Sequence, residues 1–209
     1  MKNGADVVIF DYYEEKANNA SLYINTLPPK TNKDFLMPFL KKSLTSLCTM
    51  FVNKKLYDNN DIKFINGCDY CEDLNAGGKI LYCANDKIIY INNAYYHYRN
   101  NPNSITHCES KSQNISGLKN TIELLNYYIE RGASKRIIRL MAYRILMRKR
   151  FYLYNEKDIR SYCTTQSWTN KYIISNHMCG YGLKSKFVEI SICLLYLLQM
   201  YILKLKIKS

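Results

Sequence analysis

DIKFINGCDYCEDLNAGGKILYCANDKIIYI, Asp61 to Ile91, decides the fold because two hydrophobic periodicities alternate within it. Ile62-Lys63-Phe64 reads as a short strand leading to Glu72-Asp73. The stretch that follows, to about Cys83, reads as a helix, and Ile88 to Ile91 reads as another strand. Strand, helix and strand in this order predict an α/β domain.

Working outward, ADVVIFDYY at 5–13 has the composition of a buried strand. It starts a few residues after Met1 with no turn, cap or earlier element to pack it, so a segment belonging upstream is expected to be missing. Between these stretches, the apolar periodicity from Asp34 through Tyr57 predicts one or two helices, with Pro38 in a first helical turn. A strand or turn over Ala94 to Arg99 closes the segment, and the polar NNPNS at 100–104 marks a boundary. The expected organisation is an α/β domain over 1–107 and a basic α-helical extension over 108–209.

In that extension, Ser116 is expected to cap a helix carrying Leu118, Ile122, Leu125 and Ile129, with Gly132 stopping it. A second helix from about Ser134 carries Ile137, Ile138, Met141, Ile145 and Leu146 on its apolar side. Lys135, Arg136, Arg139, Arg148, Lys149 and Arg150 make it basic, which reads as a solvated face or an interaction surface. A last helix over Phe187 to Ile207 contains the strongly apolar VEISICLLYLLQMYIL, which is interrupted by Glu189 and Gln199 and is shorter than the roughly 20 residues a bilayer span takes. With its flanking lysines it suits either a buried closing helix or one lying on an anionic membrane face.

Composition sets the outer limits. The 209 residues, 47% of them hydrophobic, suffice for a real core and exclude a disordered or low-complexity chain. A formal charge of +13 favours an anionic partner: nucleic acid, an acidic membrane or a phosphorylated substrate. No nucleic-acid recognition module is recognisable, so nucleic acid is the least favoured. The eight cysteines lack the spacing of a disulfide framework and no signal peptide opens the chain, which predicts a cytoplasmic protein.

Two chemistries compete within Cys68 to Asp73. A zinc site takes four ligands, and Cys68-x-x-Cys71 is one pair without a second, so no metal site is expected. Gly77-Gly78-Lys79 is not a phosphate loop, because Asp73 stands where the earlier glycine belongs and Ile80 where Ser or Thr belongs. Glu72-Asp73 sits before a helical stretch, where free N–H groups and the helix dipole hold carboxylates ionised. Such a pair serves as a helix cap or as acid/base machinery.

The residues around the pair carry a resemblance. Leu56-Tyr57, Ile62-Lys63-Phe64, Gly67, Glu72-Asp73-Leu74, Ala84, Tyr96-His97-Tyr98-Arg99, Asn101-Pro102 and Ser104-Ile105-Thr106 follow in order. In that order and spacing the chain from Gly4 to Thr106 resembles the C-terminal half of the catalytic domain of family-two glycosyltransferases, bacterial enzymes of polysaccharide and lipopolysaccharide assembly. The resemblance implies a partial GT-A (Rossmann-like) fold with Asp73 as catalytic base and Glu72 positioning the acceptor. His97 and Arg99 become candidates to meet the donor diphosphate, or else pack within the Tyr95 to Tyr98 aromatic cluster. It implies a nucleotide-sugar donor, a glycan or lipid-linked acceptor, and peripheral attachment at the inner face of the cytoplasmic membrane.

The complete enzymes hold a divalent metal, Mg or Mn, on a DxD motif upstream of this region, and no DxD occurs in this chain. Thr49-Met50 and Gly77-Gly78 also depart from the family pattern. The expectation is therefore a truncated transferase, inactive alone or completed by a separate N-terminal half. The alternative is a catalytically inert, membrane-associated scaffold derived from such an enzyme.

Overall fold

The computed structural model describes residues 4–15, 21–24, 35–42, 46–85, 87–99, 101, 104, 111–153, 198 and 201, with backbone alone over 111–114 and 146–153. The chain divides into two compact units, Met1–Leu124 and Leu125–Ser209. The division falls within a helix.

The first unit is an α/β arrangement organised on strand β1 (Val7–Glu15). Strand β2 (Ser21–Ile24) pairs antiparallel with Tyr12 to Glu15, and β3 (Met50–Val52) pairs antiparallel with Val7 to Ile9. Strand β4 (Ile88–Arg99) runs parallel to β1 along its whole length. A strand has two edges, so β4 occupies one and β2 and β3 share the other. The sheet is four-stranded and mixed. The β1–β4 register shifts between Phe10 and Asp11 and again between Asp11 and Tyr12, where β4 accommodates Asn92, Asn93 and Tyr95 as extra residues.

Val7, Ile9 and Phe10 of β1 are buried, as are Phe39 and Leu40 of α1 (Leu36–Lys42) and Ile80 and Leu81 of α3 (Glu72–Ala84). Each fully buried side chain of this size is worth about 1.5–3 kcal/mol relative to exposure. Helix α3 packs on α1 and also meets β1. The first backbone donor that α1 requires is Phe39 N–H, bonded to Phe35 O, so Pro38 sacrifices no hydrogen bond.

Asp11 is fully buried at the register shift. Its carboxylate accepts the Tyr23 hydroxyl at 2.6 Å and the Tyr90 hydroxyl at 2.7 and 2.8 Å, which ties β2 and β4 to the central strand. Tyr23 Oη also reaches Asn92 Oδ1 at 3.1 Å. The carboxylate raises the Tyr23 pKa to about 12, since losing the proton would break the bond and set two anions together.

Several expectations change. Between Asp34 and Tyr57 there are α1, a 3-10 turn (Leu47–Thr49), β3 and α2 (Lys54–Asn59), not helix alone. Residues 50–52 are drawn into extended form by the edge of Val7–Ile9, and Asn53 N–H continues that contact to Asp6 O at 2.8 Å. Ile62 to Phe64 is not a strand, because its hydrogen bonds close locally: Ile62 N–H reaches Tyr57 O, and Cys68 N–H reaches Ile65 O. Ile88 to Ile91 and Ala94 to Arg99 are one bulged strand rather than two pieces.

Helix α4 (Lys111–Glu130) starts before Ser116, which lies buried inside it and does not cap it. In the second unit the chain turns at Gly132, whose φ of +64° suits glycine, and enters α5 (Lys135–Leu153). Ser134 Oγ accepts Ile137 N–H at 3.4 Å there. Within this unit Tyr128, Met141 and Ile145 are buried, and the Arg131 guanidinium lies 3.6 Å over the Tyr127 ring. The side chains of Arg148, Lys149 and Arg150 and the helix expected over Phe187 to Ile207 lie outside the described residues, apart from Leu198 and Tyr201. Among the described residues no helix is long and apolar enough to cross a membrane.

Gly77 shows why α3 carries glycine. A Cβ there would stand 2.6 Å from Phe39 Cζ, and Phe39 is only 1% exposed, so its ring has little room to move. Overpacking costs about 1–3 kcal/mol, while Gly→Ala in a helix gains about 1 kcal/mol. Gly77→Ala is expected to lower stability by about 1 kcal/mol net, read as a lower urea midpoint at unchanged slope. Adding Phe39→Leu, which removes the obstructing ring, should recover part of that loss.

Candidate functional site

Helix α3 begins at the residues of interest. Cys71, at its N-cap, is left-handed (φ 63°) and gives no side-chain cap. Glu72 and Asp73 instead fill the first turn, where carboxylates complement the helix dipole. The preceding loop is held from outside. Asn120 Nδ2 on α4 donates to Cys68 O at 3.2 Å and Tyr70 O at 2.9 Å, fixing the chain just before the pair.

A second clamp sits one turn along α3. Lys79, 3% exposed, pairs with Glu123 at 2.7 Å, and Asn75 Nδ2 donates to Asn120 O at 2.9 Å and to the Glu123 carboxylate. Lys79 is buried and Glu123 is partly open to solvent, so the pair ties the buried end of Lys79 on α3 to α4. Sequence reasoning missed it. Its only signal is two polar residues, Asn75 and Lys79, at a spacing of one helical turn in an otherwise apolar stretch.

Asp73 is half-buried, and one of its carboxylate oxygens is held. Ser46 Oγ donates to Oδ2 at 2.5 Å, and Leu47 N–H points to the same oxygen at 3.4 Å. Ser46 is itself positioned as the cap of the 3-10 turn. Its Oγ accepts Cys48 N–H at 3.4 Å, and its carbonyl accepts Thr49 Oγ1–H at 2.9 Å. Among the described residues Asp73 Oδ1 takes no hydrogen bond.

Beyond Ser46 lies a cleft of about 150 Å³ lined by Tyr12, Glu14, Ser46, Cys48, Thr49, Tyr96 and Tyr98. Tyr96 and Cys48 share a hydrogen bond, which with burial and the nearby Cys48, Tyr98 and Asp73 raises the Tyr96 pKa. Tyr57 is raised by burial first and by Asp73 second, so Asp73 is in the field of two phenols. Glu72 is pushed up by burial above all. The adjacent Asp73 and Asp69 add to the shift, and its own backbone N–H opposes it.

His97 and Arg99 are elsewhere. The register sets Tyr96 and Tyr98 beside Tyr12 and Glu14, and His97 and Arg99 beside Tyr13 and Glu15. Because side chains alternate along strands, the two sets occupy opposite faces of the sheet. His97 Nδ1 contacts Glu15 Oε1 at 2.5 Å, and its ring lies 5.0 Å from that of Tyr13. The Glu15 pKa is lowered mainly by the His97 and Ser21 hydrogen bonds, with the charges of His97 and Arg99 helping. The structure thus keeps Glu72 and Asp73 together and sets His97 and Arg99 apart from them. Tyr12, Glu14, Ser46, Tyr96 and Tyr98 join the carboxylate end instead.

Cys48, Cys68, Cys71 and Cys83 are in no disulfide, and Cys68 is buried as a small apolar side chain. Among the described residues no three His, Cys, Asp or Glu side chains gather so as to hold a metal ion. A resident divalent ion therefore has no fitting donor set among those residues. No protein-family model, curated protein or solved structure matches this chain.

The Glu72 shift has a defined sign. Its native pKa lies above the ordinary glutamate value, so the folded state binds the proton more tightly than the unfolded one. Its contribution to stability is full below the ordinary glutamate range and falls as pH rises through the raised value. Glu72→Gln should flatten the decline of unfolding free energy with pH across that window, measured by denaturant titration at several pH values.

Proposed function

We propose that the chain is the acceptor-side part of an inverting glycosyltransferase, acting on a nucleotide sugar and a glycan or lipid-linked acceptor, with Asp73 as general base. The observation that carries the reading is the asymmetry of the Asp73 carboxylate: Oδ2 is anchored by Ser46 and Leu47, while Oδ1 is unbonded among the described residues. A base needs one lone pair oriented and available, and a carboxylate fixed through its other oxygen has that property. The acceptor hydroxyl gives its proton to Oδ1 as its oxygen attacks the anomeric carbon. The nucleoside diphosphate departs from the opposite face, which inverts the configuration. Glu72, one residue earlier and half-buried, positions the local backbone or an acceptor hydroxyl. The resemblance of Gly4 to Thr106 to family-two enzymes supports the same role for Asp73.

A second reading, an inert half-domain serving as a membrane-associated scaffold, draws on the lack of any DxD in the sequence. The two separate on one experiment: the chain, joined to a DxD-bearing N-terminal half of a family-two enzyme, is incubated with a panel of nucleotide sugars and hydroxylated acceptors, and nucleoside diphosphate release is measured. The transferase reading expects acceptor-dependent release that Asp73→Asn lowers by about 10²–10⁴-fold. Release that is unchanged in that variant removes the base assignment, and no release with any donor favours the scaffold.

A further inference from the structure

The cleft beside Asp73 has chemistry of its own. Tyr12 and Tyr98 form one wall, their ring centroids 6.5 Å apart at 65°, and Tyr98 is partly open to solvent. Among the described residues neither phenol makes a hydrogen bond, and the Glu14 carboxylate has neither a hydrogen bond nor an ion pair. The cleft therefore presents aromatic faces, two uncommitted hydroxyls and an uncommitted carboxylate, with Ser46 and Thr49 at its other side.

Each element narrows the ligand. Aromatic faces are apolar and meet C–H groups well, whereas a lone carboxylate seeks hydroxyl donors. A molecule that offers both, with C–H groups on one face and hydroxyls around its rim, is a sugar ring. The volume, about 150 Å³, lies well below that of a pocket for a drug-sized molecule, so it suits one ring rather than an oligosaccharide. Sign matters too. Glu14 on the wall and Asp73 behind Ser46 place two negative charges at the cleft, which opposes an acidic sugar despite the chain's overall charge of +13.

We infer that this cleft is the subsite for a single uncharged sugar ring of the acceptor, with Tyr98 and Tyr12 as its platform and Glu14 as the residue that selects neutral over acidic rings. The inference rests on the transferase reading for the word acceptor, and its recognition chemistry stands on the cleft. The ring lies on the tyrosine wall, and its hydroxyls donate to Glu14. Ser46 joins the cleft to the base, so a hydroxyl directed toward Ser46 is the one nearest Asp73.

The test is binding without donor. The full chain is titrated with methyl hexopyranosides of gluco, galacto and manno configuration and with the matching methyl hexuronides, followed by saturation-transfer NMR. At least one neutral glycoside is expected to bind, and its hexuronide about tenfold or more weakly. Glu14→Gln should weaken the neutral ring about tenfold, as expected for a bond to a charged group, and narrow the discrimination against the hexuronide. Tyr98→Ala should abolish the saturation signal, while Tyr98→Phe, which keeps the ring face, should retain most of it.

Equal binding of neutral and acidic rings, no binding by any neutral ring, or neutral binding untouched by Glu14→Gln and Tyr98→Ala overturns the inference. Intact binding with these dependences alongside a failed transfer assay supports the ring subsite and removes only the catalytic reading. Asp73-dependent transfer without such binding does the reverse.

Discussion

Strand β1 is the constraint on which the first unit depends. Among the described residues β2, β3 and β4 pair with β1 and with no other strand, so one nine-residue segment holds the sheet together from both edges. At its middle the buried Asp11 is bonded by Tyr23 from one neighbour and Tyr90 from the other. Hydrogen bonds to a charged group contribute about 1.5–3 kcal/mol each, and an unpaired buried carboxylate would cost more than either. The same interaction that secures the edges therefore fixes where along β1 they attach.

The candidate site inherits that arrangement. Tyr12 and Glu14 come from β1, Tyr96 and Tyr98 from β4, and Ser46, Cys48 and Thr49 from the turn leading into β3. Asp73 comes from α3, whose entry is clamped by Asn120 and whose body is anchored by Lys79 and Glu123. The Ser46–Asp73 bond joins the helix to the sheet side. The carboxylate is thus held between elements that are themselves braced, the condition under which an acid or base keeps its aim.

How much of this was legible depends on how local the cause is. The helix at Glu72 and the turn and start at Gly132 and Ser134 follow from side chains and neighbours a few residues away. Strand β1 was visible in its β-branched and aromatic run. Strand β3 was not, because three residues in a helical-looking stretch became extended only on meeting Val7 to Ile9, far away in sequence. Ile62 to Phe64 failed the other way, since β-propensity there found no edge to pair with. Asp73 was reached from its surroundings in sequence. Glu14 and the tyrosines were not, since which face they occupy is set by the β4 register, and the burial of Lys79 required Glu123 from another helix.

That register has a genetic consequence. Three extra residues in β4 separate the pair Phe10–Ile91 from the pair Tyr12–Tyr96, and three is an odd number. Were one of these residues lost while the bulge still took three, Tyr12 and Glu14 would stand beside His97 and Arg99, so the wall of the cleft would change from phenol to imidazole and guanidinium. With the bulge kept at three residues, an in-frame loss or gain of a single codon between Asn92 and Tyr95 would exchange the two faces of the distal strand wholesale. Length variation at the bulge is thus a shorter evolutionary path to a cleft with a basic wall than a series of point substitutions along it.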